Sequence, residues 1–364
     1  MKSLNPIDYR KFFSSIPLTC LNSECIMRGS LGKANVLLIN TKKDFNSFYN
    51  LEAEKDCHKA GIDLFSNKEK YTQYFNEFKK YIELVQKYIL PKYKNIPSSI
   101  TKEEFIKDLS IIGKLWHYYG FLESPHIEPA FEHVKKENNK DAIANLNYLA
   151  EFKFEARKIM NAYFFKGGVF ENILTYISKK FSVDAKYLFI DEIISLFEDK
   201  NVKKELIEQR KICYSARIEN KKLIKHSHKD SLKLYKKFVK TEDTNFVKGV
   251  IANKGLSKGR VVICPLLDDY ESIGRINSIM KKGDILIAET TSPDVMILCE
   301  KASAIVAEQG GILSHASIVS RELNIPCIIQ AVNSTKIFKN GDLVEVDANK
   351  GIIRKILFSG NPKN

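Results

Sequence analysis

The chain has 364 residues, of which 44% are hydrophobic and 28% charged, a globular composition with length for two or three domains. Its longest apolar runs, such as Val36-Leu37-Leu38-Ile39 and Ile285-Leu286-Ile287-Ala288, fall far short of the ~20 residues that cross a bilayer, so no integral membrane protein is expected. Met1–Pro6 lacks an apolar core, so no signal peptide is expected either, and the expected location is cytoplasmic.

The formal net charge is +14, and Lys and Arg together number 58. Arginine, the side chain suited to bidentate recognition of bases and phosphates, occurs at only nine positions. The lysines are spread along the chain, so the charge reads as compositional bias and no specific nucleic-acid binding is expected. Its weaker consequence is an attraction for acidic or phosphorylated small molecules. Seven scattered cysteines without a CxxC pair argue against a disulfide framework and a zinc ribbon; no metal site is expected, and these thiols read as small buried apolar groups.

From the N-terminus to about residue 240 the text is rich in lysine and aromatics and poor in Pro and Gly. The spacing in Tyr71–Leu90 predicts a helix with one broad apolar face. Thr101-Lys102-Glu103-Glu104 reads as a capping box opening a helix through Trp116. Asp141–Phe165 reads as a long helix stopped at Gly167-Gly168, followed by shorter helices over Phe170–Lys180, Ile190–Glu198 and Val202–Ile212. The exception is Ala34–Ile39, which reads as a strand or a buried segment. Residues 241–247 are a polar joint. Beyond it, β runs are predicted at Phe246–Ile251, Arg260–Cys264, Asp284–Ala288, Ala304–Ala307, Cys327–Gln330, Leu343–Val346 and Gly351–Ile356, with helices at Val295–Lys301 and Ser314–Leu323. The expected fold class is therefore α+β and multidomain: a mostly helical domain over 1–240, a joint, and a small mixed domain over 248–358.

The informative stretch runs from Ile305 to Cys327. It reads as a strand, the double glycine Gly310-Gly311, the N-cap Ser314, and a helix with His315 in its first turn; Pro326 opens the next strand. First-turn N–H groups lack intrahelical partners and favour anions, and a neutral imidazole is a competent nucleophile. A capping or core histidine beside a tight turn has the same local pattern.

The stretch Glu308–Pro326 resembles the phosphohistidine signature of the mobile domain of phosphoenolpyruvate-utilising enzymes: an acidic residue, a double glycine, Ser-His-Ala, a short apolar helix turn, Arg-Glu, then Ile-Pro. The resemblance extends over about 248–356, including Gly255–Val261 and Thr290–Asp294. It implies a β/β/α swivelling domain in which His315 is the catalytic, transiently phosphorylated residue. Gly310, Gly311, Ser314 and Arg321 then support the phosphate, although a salt-bridged helix end reads equally well for Arg321. Leu313 stands where several members carry threonine, a form closer to the antibiotic-phosphorylating branch.

Parent enzymes of the family also carry an ATP-grasp domain, and many a phosphoenolpyruvate barrel. The sequence offers no Gly-rich P-loop, and Arg28–Lys33 reads as an ordinary turn. No barrel is expected after residue 364, and no cofactor is expected tightly bound in this chain. Mg and ATP are expected on a separate ATP-grasp protein or subunit. The helical region resembles, more weakly, the segment preceding the mobile domain in rifampicin-phosphotransferase-like proteins, through Leu149–Arg157, Asp191–Ile193 and Glu208–Arg210.

The resulting expectation is a phosphotransferase subunit of dikinase type that passes a phosphoryl group from ATP, through the partner, or from phosphoenolpyruvate, to a small-molecule hydroxyl. The alternative is a phosphocarrier module with no acceptor site. Candidate acceptor residues are Lys153 and Arg157, which are i,i+4 neighbours, and His117 within Trp116–Tyr119, with His126 and His133 nearby. A solvated basic face and ordinary core aromatics remain open for them. His226-Ser227-His228 has no nearby acidic or cysteine partner for a metal.

Overall fold

A computed structural model describes residues 4–15, 17–30, 36–122, 124–160, 168–219, 222–239, 245–265, 270–291, 295–311 and 314–356. The chain divides into two compact units, Met1–Phe238 and Val239–Asn364. The fold is α+β, with a largely helical N-terminal part and a small β/α C-terminal part.

The first unit contains more strand than its sequence suggests. Strands β1 (Tyr9–Ser15), β2 (Val36–Thr41), β3 (Phe45–Asn50), β4 (Cys213–Glu219) and β5 (Lys222–Lys225) form one antiparallel sheet in the order β1-β3-β2-β4-β5. The mostly helical character of this region stands, and of the sheet's five strands only β2 was expected, within Ala34–Ile39. The reason is packing on both faces. Val36, Leu38, Phe45, Tyr49, Tyr214 and Ala216 point into the main core, while Leu37, Ile39 and Phe48 are buried on the opposite face. A strand buried on both sides loses the alternation that marks a strand in sequence.

Around the sheet lie α1 (Cys20–Ser30), α2 (Leu51–Ser66), α3 (Lys68–Leu84), α4 (Leu90–Lys92), α5 (Lys102–Gly120), α6 (Ser124–Lys136), α7 (Lys140–Met160), α8 (Val169–Phe181), α9 (Ile190–Leu196), α10 (Lys204–Ile212) and α11 (His228–Phe238). The Thr101 capping box forms as read: Glu104 N donates to Thr101 Oγ1 at 3.1 Å and Thr101 N donates to Glu104 Oε2 at 2.9 Å. The expected helix from Asp141 is described to Met160; residues 161–167 lie outside the described set. Helix α11 covers the second face of the sheet, with Phe238 5.3 Å from Phe48 and Ser231 bonded to Ser215 at 2.9 Å.

A buried ion pair ties α9 to α10. Arg210 donates to both carboxylate oxygens of Glu192, at 2.6 and 2.8 Å, and to Tyr187 O at 2.8 Å. Burial opposes the charged form of Glu192, but the bonds from Arg210 outweigh it and hold the carboxyl below its ordinary pKa.

The second unit is built on β6 (Phe246–Lys248), β7 (Val250–Asn253), β8 (Leu256–Cys264), β9 (Asp284–Ala288), β10 (Ala302–Ala307), β11 (Cys327–Ile329), β12 (Leu343–Asp347) and β13 (Ile352–Lys355). Strands β8, β9, β10 and β11 run parallel, and the full order is β6-β13-β12-β8-β9-β10-β11-β7. The two end strands are consecutive in the chain with only Gly249 between them, so the sheet curls round on itself. Gly249 is needed at that bend: a Cβ there would lie 2.5 Å from Ile329 O and 2.6 Å from Ile328 Cγ2.

Inside the curl, Val261, Ile285, Ile287, Val306 and Ile328 meet Val344, Val346 and Ile353. Outside it, Leu286, Ile305 and Ile329 pack under α12 (Tyr270–Ile279), α13 (Met296–Cys299) and α14 (His315–Glu322). Helices α12 and α15 (Ser334–Ile337) were not anticipated; α15 is too short to show a period.

Candidate functional site

The site gathers at the carboxyl ends of the parallel strands, where α/β sheets place their ligands. Strand β10 ends at Ala307, the chain turns through Glu308–Gly311, and α14 opens at His315. Ser314 is its N-cap, in extended backbone, and its Oγ accepts from Ser317 N at 3.4 Å. Ser317 Oγ donates to Gly311 O at 2.7 Å, so the hydroxyl contact of 3.1 Å between the two serines is donated by Ser314. Ser314 N also donates to Gly311 O, at 2.9 Å. The carbonyl of the second glycine thus anchors both serines. Gly310 has φ +110, and a Cβ on it would lie 2.8 Å from Ser314 Cβ and 2.9 Å from Ser314 Oγ.

The turn is braced from two sides. Glu308 is buried and accepts from Thr335 N at 2.8 Å and from Thr335 Oγ1, which ties it to α15. Glu308 N donates to Ala288 O at 2.9 Å and Gln309 N to Glu289 O at 3.0 Å, so the loop after β9 runs alongside. That loop begins the expected Thr290–Asp294 segment, of which residues 292–294 lie outside the described set.

Helix α14 closes on Asn324 at φ +52, with Ile325 N donating to Ser320 O at 2.9 Å and Asn324 N to Arg321 O at 3.2 Å. Asn253 Nδ2 of β7 reaches the same end, bonding Ser320 O at 3.1 Å and Ile325 O at 2.8 Å.

His315 is half-buried, with Nδ1 inside. Arg321 is exposed in the last turn, six residues on and so ~9 Å along the axis from His315. Gly310, Gly311, Ser314 and His315 come together; Arg321 stands at the far end of the helix. Ser317, Thr335 and Asn253 were not singled out from sequence. The Ser-x-x-Ser spacing of 314 and 317 was a signal for the first, whereas the other two are joined to the site only by the fold. Cys327 lies under α14, and burial pushes its thiol up to about 11, so it stays protonated at neutral pH.

The sequence candidates of the first unit are scattered. Lys153 and Arg157 lie on α7, but their side chains are outside the described set. His117 is exposed on α5, with ring contacts of 5.5 Å to Tyr118 and to Phe121. His126 is buried 4.8 Å from Phe121, and His133 lies 3.2 Å from Glu137. Arg28–Ser30 end α1, while residues 31–33 are outside the described set.

His226 and His228 are each tied to strand β4. His228 Nδ1 donates to Cys213 O at 3.2 Å, and His226 Nδ1 lies 2.8 Å from Ser215 Oγ. Among the described residues, no three His, Cys, Asp or Glu gather where they could hold a metal, and no helix is long and apolar enough to cross a membrane.

Residues 280–351 match the family described as PEP-utilising enzyme, mobile domain. Among curated proteins, the chain is 38% identical over 107 residues to a probable phosphoenolpyruvate synthase of Methanothermobacter thermautotrophicus, covering 29% of this chain and 15% of that protein. It is 41% identical over 109 residues to the phosphoenolpyruvate synthase of Pyrococcus furiosus, covering 30% and 12%. It is 34% identical over 110 residues to a pyruvate kinase of Bacillus licheniformis, covering 30% and 19%. The match spans less than a fifth of each of these relatives. The matched segment, residues 280–351, includes the whole turn from Glu308 to His315.

Proposed function

We propose that this chain is a phosphohistidine-dependent phosphotransferase subunit. His315 takes a phosphoryl group from phosphoenolpyruvate, or from ATP held with Mg on a separate ATP-grasp partner, and passes it to a small-molecule hydroxyl. The observation that carries this reading is the placement of His315 as the first residue of α14, behind a braced double-glycine turn, in the segment that matches the family.

In the first step an imidazole nitrogen attacks phosphorus, the P–N bond forms, and the donor oxygen leaves with the imidazole proton. Nδ1 is buried, so Nε2 is the nitrogen assigned to the attack. The first turn of α14 favours the added negative charge by roughly 0.3–1 kcal/mol. In the second step an acceptor oxygen takes the phosphoryl group, the P–N bond breaks, and the hydroxyl proton ends on the imidazole.

The test is to incubate the chain with phosphoenolpyruvate, and separately with ATP, Mg and an ATP-grasp partner, and to look for acid-labile phosphate by ³¹P NMR. The wild type should gain one phosphate and His315→Ala none, with an unchanged melting temperature. Equal labelling of His315→Ala would refute the assignment.

A further inference from the structure

The first unit holds a cleft of about 830 Å³ at one end of its sheet, between the starts of α1 and α8 and the side of α10. That is the size at which clefts take metabolites. Three lysines, Lys42, Lys186 and Lys211, and three glutamates, Glu171, Glu205 and Glu208, line it, so its charges cancel.

Most of these charges are also held by one another. Lys186 lies 3.7 Å from Glu171, Lys211 lies 2.7 Å from Glu208, and Gln209 Nε2 donates to Glu205 Oε1 at 3.0 Å. A wall of balanced pairs offers many donors and acceptors and no excess charge of either sign. Phe170 and Tyr187 supply aromatic surface, and burial raises the Tyr187 phenol, so its hydroxyl remains a neutral donor.

Donors and acceptors side by side with aromatic rings, at zero net charge, suit vicinal hydroxyls. We infer that the cleft binds a neutral polyhydroxylated molecule of the sugar or cyclitol class, and that this molecule is the hydroxyl acceptor. The second half rests on the phosphotransfer reading above; the binding itself does not.

The full chain is tested by saturation-transfer NMR with D-glucose, D-galactose, D-mannose and myo-inositol, and with glucose 6-phosphate and glucosamine as charged probes. At least one neutral probe should bind at millimolar concentration, and no charged probe should bind more tightly. Glu205→Ala and Gln209→Ala alter side chains on the cleft side of α10 outside the core. Each should weaken binding about tenfold, the worth of ~1.4 kcal/mol, with an unchanged melting temperature.

Binding by none of the neutral probes, tighter binding of a charged one, or undiminished binding by both variants would overturn the assignment. The acceptor role is read separately, from transfer of ³²P from labelled His315 to the bound probe. Binding without transfer from a labelled histidine removes that role, whereas failure to label His315 at all refutes the phosphotransfer reading and leaves the cleft's binding as measured.

Discussion

Replacing Gly310 by alanine perturbs the turn at the point where backbone and cap meet. The residue has φ +110, a region that L side chains rarely adopt, and holding alanine there costs about 1–3 kcal/mol. The new Cβ would also sit 2.8 Å from Ser314 Cβ and 2.9 Å from Ser314 Oγ, closer than real contacts allow. Ser314 would have to move, and it is the cap that accepts from Ser317 N. Loss of such a cap costs ~1 kcal/mol. Together the substitution should destabilise the second unit by about 2–4 kcal/mol, which at ~4 °C per kcal/mol for a unit of this size lowers its melting temperature by roughly 8–16 °C.

Differential scanning calorimetry measures this directly, and a double-mutant cycle identifies the cause. Ser314→Gly alone should cost only a few tenths of a kcal/mol. In the Gly310→Ala background it removes the clashing atoms, so the two changes should couple by about 1 kcal/mol toward stability. A melting shift below ~3 °C for Gly310→Ala, or strict additivity of the two, would refute the account of this turn.

Asn324→Gly should leave stability unchanged or slightly raised, because the position has φ +52, while Asn324→Val should lower it by about 1–2 kcal/mol in urea unfolding. Arg210→Met removes two charge-assisted bonds from Glu192, which keeps Lys225 at 3.0 Å, and should cost about 1.5–3 kcal/mol in the first unit. Because Glu192 is held below its ordinary value of 4.5, the wild-type pair's contribution is present above that pH and lost as pH falls through the lower folded value, a dependence that Arg210→Met should weaken. His226 is pushed down to about 4 from 6.5 by burial and by Arg217, with Asp230 opposing. Between those values the unfolded chain binds the extra proton, so stability should fall as pH falls from about 6.5 to 4, by at most ~1.4 kcal/mol per pH unit, and His226→Gln should flatten that slope.

The second unit was legible because its elements are punctuated locally. Lys282-Gly283-Asp284 and Asn340-Gly341-Asp342 are turn signals, and the strands between them come out within two or three residues of their reading. The first unit was less so, because its sheet is assembled from distant pieces. Strand β4, more than 170 residues beyond β2, pairs Ser215 with Ile39. Residues 9–15 and 45–50 are aromatic and polar by turns, and nothing local distinguishes them from helix text until β2 is buried between its neighbours.

The candidate site divides along the same line. Gly310, Gly311, Ser314 and His315 fall within six consecutive residues, and a tight turn before a capped helix is a local pattern that sequence can display. Its bracing is not local. Thr335 meets Glu308 from 27 residues away, and Asn253 holds the end of α14 from 67 and 72 residues away. From sequence, Glu308 is only the acidic member of the signature, with no partner to be read for it. In the fold, Glu308 is buried and accepts from both Thr335 N and Thr335 Oγ1, so its carboxylate holds α15 against the turn. The same logic separates Arg321 from His315. Adjacency in a motif does not give adjacency in space when a helix carries one of the two to its far end, and six residues of α14 do that here.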